Sequence, residues 1–161
     1  MLDGSILPIV RYKEPVAAAR WLCRAFGFCV HDEACGPDGN VAHVVLRHGD
    51  DFVLIGPLHG TVFDDLMVQP IDVGNRSTQA FYVTVADVDA HCTDARTAGA
   101  RVEIEPCNDD AGRFYVCRDP EGHLWSFGNA SHGAKLARTR KPSVIREKHP
   151  ALGSRAIDWL G

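Results

Sequence analysis

The sequence predicts an α+β fold: two tandem βαβββ modules forming a cup-shaped mixed sheet, with helices on its outer face and a basic C-terminal tail. Two observations predict the modules. The order strand, helix, strand, strand, strand occurs once in about residues 5–56 and again in about residues 78–129. A period this long with one element order marks a duplicated unit and not a solenoid. The third observation is charge. Residues 1–130 hold 10 Lys and Arg against 19 Asp and Glu, a net −9, whereas residues 131–161 hold 7 against 2, a net +5. The bulk charge of −4 therefore sums two unlike parts, residues 1–129 as the folded body and 130–161 as a basic extension.

The elements follow from local chemistry. Residues 6–12 are a β-branched, apolar run that reads as a strand. Pro15 suits a first helical turn, residues 16–26 are alanine-rich with apolar residues at helical spacing, and Gly27 closes them as a C-terminal cap. Strands are expected at 28–33, 41–47 and 52–55, with turns at 36–39 and 48–51. In the second copy, residues 80–85 read as a strand and Asp87 caps a helix through 88–98 that Gly99 ends. Strands at 101–105, 114–118 and 123–128 follow, the last two joined by the tight turn Asp119-Pro120-Glu121-Gly122. Residues 56–79 are left as linker. One copy alone leaves a sheet face uncovered, so the two sheets are expected to face each other across the cup.

The chain of 161 residues, with 45% hydrophobic and 24% charged residues, can bury a core without covalent staples. No charged start followed by an apolar run and no stretch near 18 apolar residues is visible, so a cytoplasmic location is expected. Six cysteines (23, 29, 35, 92, 107, 117) form no CxxC pair and read as buried, reduced thiols. No phosphate loop, GxSxG elbow or HExxH pattern occurs.

Three segments carry a family resemblance. Trp21-Leu22-Cys23-Arg24-Ala25-Phe26-Gly27-Phe28 resembles a helix end with a Gly-Phe exit, residues 81–90 (FYVTVADVDA) resemble the entry to a second module, and residues 119–127 (DPEGHLWSF) resemble a closing hairpin. In order, they are similar to the vicinal oxygen chelate superfamily of glyoxalase I, bleomycin-resistance proteins and extradiol dioxygenases. The resemblance implies paired βαβββ modules, a homodimer, and a divalent metal held in the cup by His, Glu or Gln. The implied ligand positions fall on Leu7 (Pro8 if the register slips by one), Ala80, Ser126 and, for a fourth, Leu54 or Ile55. None carries an imidazole or carboxylate, so the chain resembles the metal-free, bleomycin-resistance-like branch and no cofactor is expected. Among the histidines, His48 and His59 read as solvated, His91 as a helix residue facing solvent or the outer side of the sheet, and His123 as a structural partner in its turn.

Strand alternation turns Trp125 and Phe127 under the helices and Leu124, Ser126 and Gly128 toward the cup. It likewise turns Tyr82 and Thr84 inward and puts Arg11 on the side of the former ligand, with His43 on a strand that can face the cup. The expected ligand-binding set is Arg11, His43, Tyr82, Thr84, Arg113, Tyr115 and Ser126, with no catalytic residue and no metal ligand. Each has a plainer role open to it: Arg11 as a solvated strand end, His43 as a pocket-wall residue, Tyr82 as a sheet-edge residue, and Arg113 and Tyr115 as loop closure. The expected function is sequestration of a small organic ligand, with cations favoured by the acidic body. The alternative is a metal-dependent lyase, isomerase or dioxygenase with a relocated metal site, and a third reading is partner capture by the tail. In the tail, residues 150–160 can form a short helix with Leu152, Ala156, Trp159 and Leu160 on one side. The basic run lacks interleaved aromatics, so nucleic acid is not an expected partner, and without a long apolar stretch no membrane is expected either.

Overall fold

The computed structural model describes residues 6–129; the whole basic tail, with its expected helix, lies outside the described residues. The first module comprises β1 (Ile9–Tyr12), α1 (Pro15–Phe26), β2 (Cys29–Cys35), β3 (Val41–His48) and β4 (Asp51–Pro57). The second comprises β5 (Phe81–Thr84), α2 (Val88–Thr97), β6 (Arg101–Asn108), β7 (Arg113–Arg118) and β8 (Leu124–Gly128). Each module builds a four-stranded sheet, in the orders β1-β4-β3-β2 and β5-β8-β7-β6. Only the β1–β4 and β5–β8 pairs are parallel, so both sheets are mixed. The helix supplies the length of chain that a parallel return requires.

Local chemistry sets the helix ends. Pro15 opens α1, where its missing N–H costs nothing, and Gly27 closes it in the left-handed region at φ 75°. In α2 the Asp87 carboxylate accepts from the Ala90 N–H at 3.0 Å. Within the expected linker a short 3-10 turn forms at Pro70–Val73.

One apolar core joins the modules. Val10, Tyr12, Val44, Leu46, Val53 and Ile55 from the first sheet share one cluster with Tyr115, Cys117, Trp125 and Phe127 from the second, and with Leu22, Phe26, Val88 and Cys92 from the helices. Phe26 at the end of α1 reaches across, its ring 4.6 Å from Phe127 and 5.5 Å from Trp125. The Trp21 indole N–H donates to the Ala98 carbonyl at 2.8 Å. The sheets thus share their helix-side faces, whereas the opposite faces keep Ile9, Tyr82 and Ile104 at 37%, 40% and 45% exposure. Among the described residues, each open face is a half-open cup wall.

The thiols depart from the expected uniform burial. Cys92 and Cys117 are buried, Cys23 and Cys107 are half-buried, and Cys29 and Cys35 are exposed. The two exposed thiols sit on β2, an edge strand that presents both of its faces to solvent.

Candidate functional site

The strand registers align one straight row of side chains across each sheet. In the first, Ile9, Leu54, Val45 and Asp32 are successive partners; in the second, Tyr82, Ser126, Val116 and Ile104 are. The rows occupy equivalent positions of the two modules, on the faces away from the helices. Two residues further along, Gly56 and Gly128 are likewise equivalent, paired with Arg11 and Thr84.

Beside the second row lies a cleft of about 590 Å³ between the β3–β4 turn and the edge strand β5. Tyr82 and Thr84 line one wall, with Ala80 at its start. Phe28 and Trp125 contribute from the core side, and His48, Asp50, Asp51 and Phe52 come from the turn. The His48 ring meets Phe28 edge-on at 5.3 Å. Burial favours a neutral His48 ring and holds its pKa below the usual value, against the opposing pull of the Asp51 carboxylate. Asp50 and Asp51 are exposed at the mouth. The arrangement offers apolar and aromatic walls with negative charge at the rim.

Of the sequence-expected residues, only Tyr82 and Thr84 line this cleft. Ser126 lies on the same open face, its hydroxyl 3.5 Å from the Tyr115 carbonyl, and His43 is half-buried on the open face of the first sheet. Arg11 is 3% exposed, which corrects the solvated reading. Its guanidinium donates to the carbonyls of Pro57 (3.0 Å), Phe63 (2.7 Å) and Leu58 and pairs with Asp64 at 2.6 Å, clamping the linker to β1.

Arg113 and Tyr115 face the other way. Tyr115 pairs with Phe127 in the register, so both side chains enter the helix-side core. The Tyr115 hydroxyl lies 2.7 Å from His91 Nδ1, and His91 Nε2 lies 3.4 Å from the Phe26 carbonyl. A carbonyl only accepts, so Nε2 carries the proton and Nδ1 accepts from Tyr115. His91 therefore faces the core, against the outward expectation, with its ring 4.3 Å from Phe127. Arg113 grips the Asp89 carboxylate through Nε and Nη2 at 2.6 and 2.7 Å, on the flank of α2. No alternation pattern placed Arg113 and Tyr115; the register with β8 fixes the face that β7 presents.

His48, Asp50, Asp51 and Phe52 were not anticipated as site residues. They sit on a turn whose approach to β5 is a tertiary fact, and the only sequence signal was two consecutive carboxylates at a hairpin tip.

The divalent metal implied by the resemblance does not fit the residues present. The two rows meet its expected positions with Leu54 and Ser126, and Leu7 and Ala80 precede Ile9 and Tyr82 by two residues. A single neutral hydroxyl among alkyl groups is no donor set for a divalent ion. Among the described residues, no group of three or more His, Cys, Asp or Glu side chains is gathered to replace it.

Comparisons with known proteins agree with this architecture. An uncharacterized protein of Mycobacterium tuberculosis (strain H37Rv) is 27% identical over 129 residues, 79% of this chain and 75% of that protein. TioX from Micromonospora sp. ML1 superposes with a TM-score of 0.59 at 28% identity, over 77% of this chain and 94% of its own. TnmS3, an antibiotic binding protein from Streptomyces sp. CB03234, shares the fold with a TM-score of 0.60 at 18% identity, over 80% and 97%. The model of the Glyoxalase/Bleomycin resistance protein/Dioxygenase superfamily matches residues 6–127, nearly the whole described body, and the chain belongs to that family.

Proposed function

We propose that this protein captures a small organic cation in the cleft beside β5, without using the metal position of its family. The observation that carries this reading is the meeting, in one cleft, of aromatic walls with the Asp50 and Asp51 carboxylates. A ring face attracts a cation, and carboxylates at the rim add to that attraction without having to be buried. The volume suits a drug-sized ligand. The likeness to TnmS3 extends to the fold alone, yet it makes an antibiotic a reasonable class of ligand to test.

The reading includes a homodimer in a reducing compartment such as the cytoplasm. Exposed Ile9, Tyr82 and Ile104 on the open faces, with Leu66, Val68 and Ile71 in the linker, support a second copy covering part of this surface. All six thiols are unpaired, which suits a reducing environment, and no described helix is long and apolar enough to cross a membrane. Sedimentation analysis tests the dimer: a monomer at micromolar concentration sinks that part.

A thermal-shift series tests the ligand class. Aromatic ammonium compounds should raise the melting temperature, while neutral and anionic compounds of the same size should not. Equal stabilisation by all three charge types overturns the assignment.

A further inference from the structure

We infer that Gly128 is the residue that keeps the β5 cleft open to bulky ligands, by giving the Tyr82 side chain room to lie along β8 instead of standing in the cleft. The inference rests on the proposed binding site and deepens it. Tyr82 pairs with Ser126, and its ring runs from there toward Gly128, two residues further on the same face of β8. A methyl group built on Gly128 would meet the Tyr82 hydroxyl in outright overlap and the ring carbon Cζ at 2.9 Å. The Arg113 carbonyl lies 3.0 Å from the same point. Gly128 is buried although it belongs to the open face, as expected for a residue roofed by the phenol.

Backbone geometry does not require this glycine. Gly128 is absent from the positive-φ residues of the chain, so any L residue could adopt its backbone. What it supplies is space. The equivalent residue of the first module provides an internal control: a methyl on Gly56 would find only Leu54 Cδ2, at 3.9 Å. The close requirement therefore belongs to the second module alone, where the neighbouring strand carries Tyr82. With the phenol laid along β8, the ring forms part of the wall, 40% exposed. Lifted off β8, the same ring would project into the volume that a ligand needs. The geometry points to a ligand of polycyclic size, because a small ammonium ion would tolerate either position of the ring.

The chain offers a direct readout. It has three tyrosines, and Tyr12 and Tyr115 are both buried, so nitration by tetranitromethane, mapped by mass spectrometry, follows Tyr82. Gly128→Ala should raise its nitration rate severalfold, and Gly56→Ala should leave it within a factor of two. Ethidium, a planar polycyclic cation, should bind Gly128→Ala about tenfold more weakly, the loss that overpacking a snug site typically brings. Tetraethylammonium should bind both proteins alike. Unchanged nitration in Gly128→Ala overturns the inference, as does equal weakening of both cations. If the wild-type chain binds neither probe while nitration still rises, the packing role of Gly128 stands and the proposed ligand class fails. Should Gly128→Ala fold poorly, adding Tyr82→Ala must restore its melting temperature; absence of rescue also overturns the inference.

Discussion

The Tyr12 hydroxyl donates to Asp119 Oδ2 at 2.6 Å, tying the end of β1 to the β7–β8 turn 107 residues later. Asp119 is 4% exposed and fully engaged: Oδ2 also accepts from the Trp125 indole, and Oδ1 accepts the backbone N–H groups of Glu121 and His123. Next to it, Glu121 receives the Lys13 N–H on both oxygens, and His123 Nε2 lies 2.9 Å from the Arg11 carbonyl. The turn is therefore the latch between modules, and through Asp119 it also holds Trp125, a residue of the cleft wall.

Tyr12→Phe leaves one buried acceptor short of a donor and should cost about 1–2 kcal/mol. Asp119→Ala strands several buried donors at once and should cost about 3–5 kcal/mol. Urea denaturation of both variants checks the order. A smaller loss for Asp119→Ala than for Tyr12→Phe would contradict the latch.

The two arginines of the expected binding set should behave as anchors of very different strength. Arg11→Ala removes a buried cation from four acceptors, so it should cost about 3–5 kcal/mol and open residues 57–69 to protease. Arg113→Ala breaks a pair whose Asp89 partner is well exposed, so its cost should be about 0.2–1 kcal/mol. Neither arginine lines the cleft. An affinity loss in folded Arg113→Ala comparable to that of Tyr82→Ala would restore Arg113 to the site.

Acid should weaken the fold through His91. Its burial holds the imidazole pKa below the usual value, opposed in part by the Phe26 carbonyl, with His48 adding to the depression and Asp94 countering it. The unfolded chain then takes up a proton near pH 6.5 that the folded chain resists. Stability should fall as pH drops through that value and level off below the folded pKa. His48, shifted the same way, adds to the slope. His91→Gln, which can keep one donor and one acceptor, should flatten the melting-temperature profile between pH 7.5 and 5.5. An unchanged slope would remove His91 as the cause.

Gly122 should resist substitution for two reasons. It has φ +90°, and a Cβ there would meet Asn75 Oδ1 at 3.1 Å and Pro70 Cβ at 3.3 Å. Gly122→Ala should therefore lower the melting temperature more than Gly39→Ala, which has a similar positive φ and open space around it. Calorimetry of the two variants gives the comparison.

Much of the fold is written locally. Pro15 and Gly27 bracket α1, Asp87 caps α2, and Trp125 and Phe127 declare the buried face of β8, so the element order is legible without tertiary information. The site is less so. Tyr82 and Thr84 could be assigned from alternation because β5 is short and regular. Tyr115 could not, since its face depends on register with β8, and Arg11 turned inward because a linker without regular pattern folds back over it. Asp50 and Asp51 looked like an ordinary hairpin tip, and only the approach of that tip to β5 gives them a role. Local chemistry specifies elements, whereas the cleft arises from contacts between segments that no local pattern links.

The most direct test is calorimetric titration of EDTA-dialysed protein with ethidium, comparing the wild-type chain with Asp50→Asn/Asp51→Asn and Tyr82→Ala. Saturable binding should survive removal of divalent metal and weaken about tenfold in each variant. Binding that disappears on dialysis and returns with a divalent cation, or that is indifferent to all three substitutions, would contradict metal-free capture in the cleft.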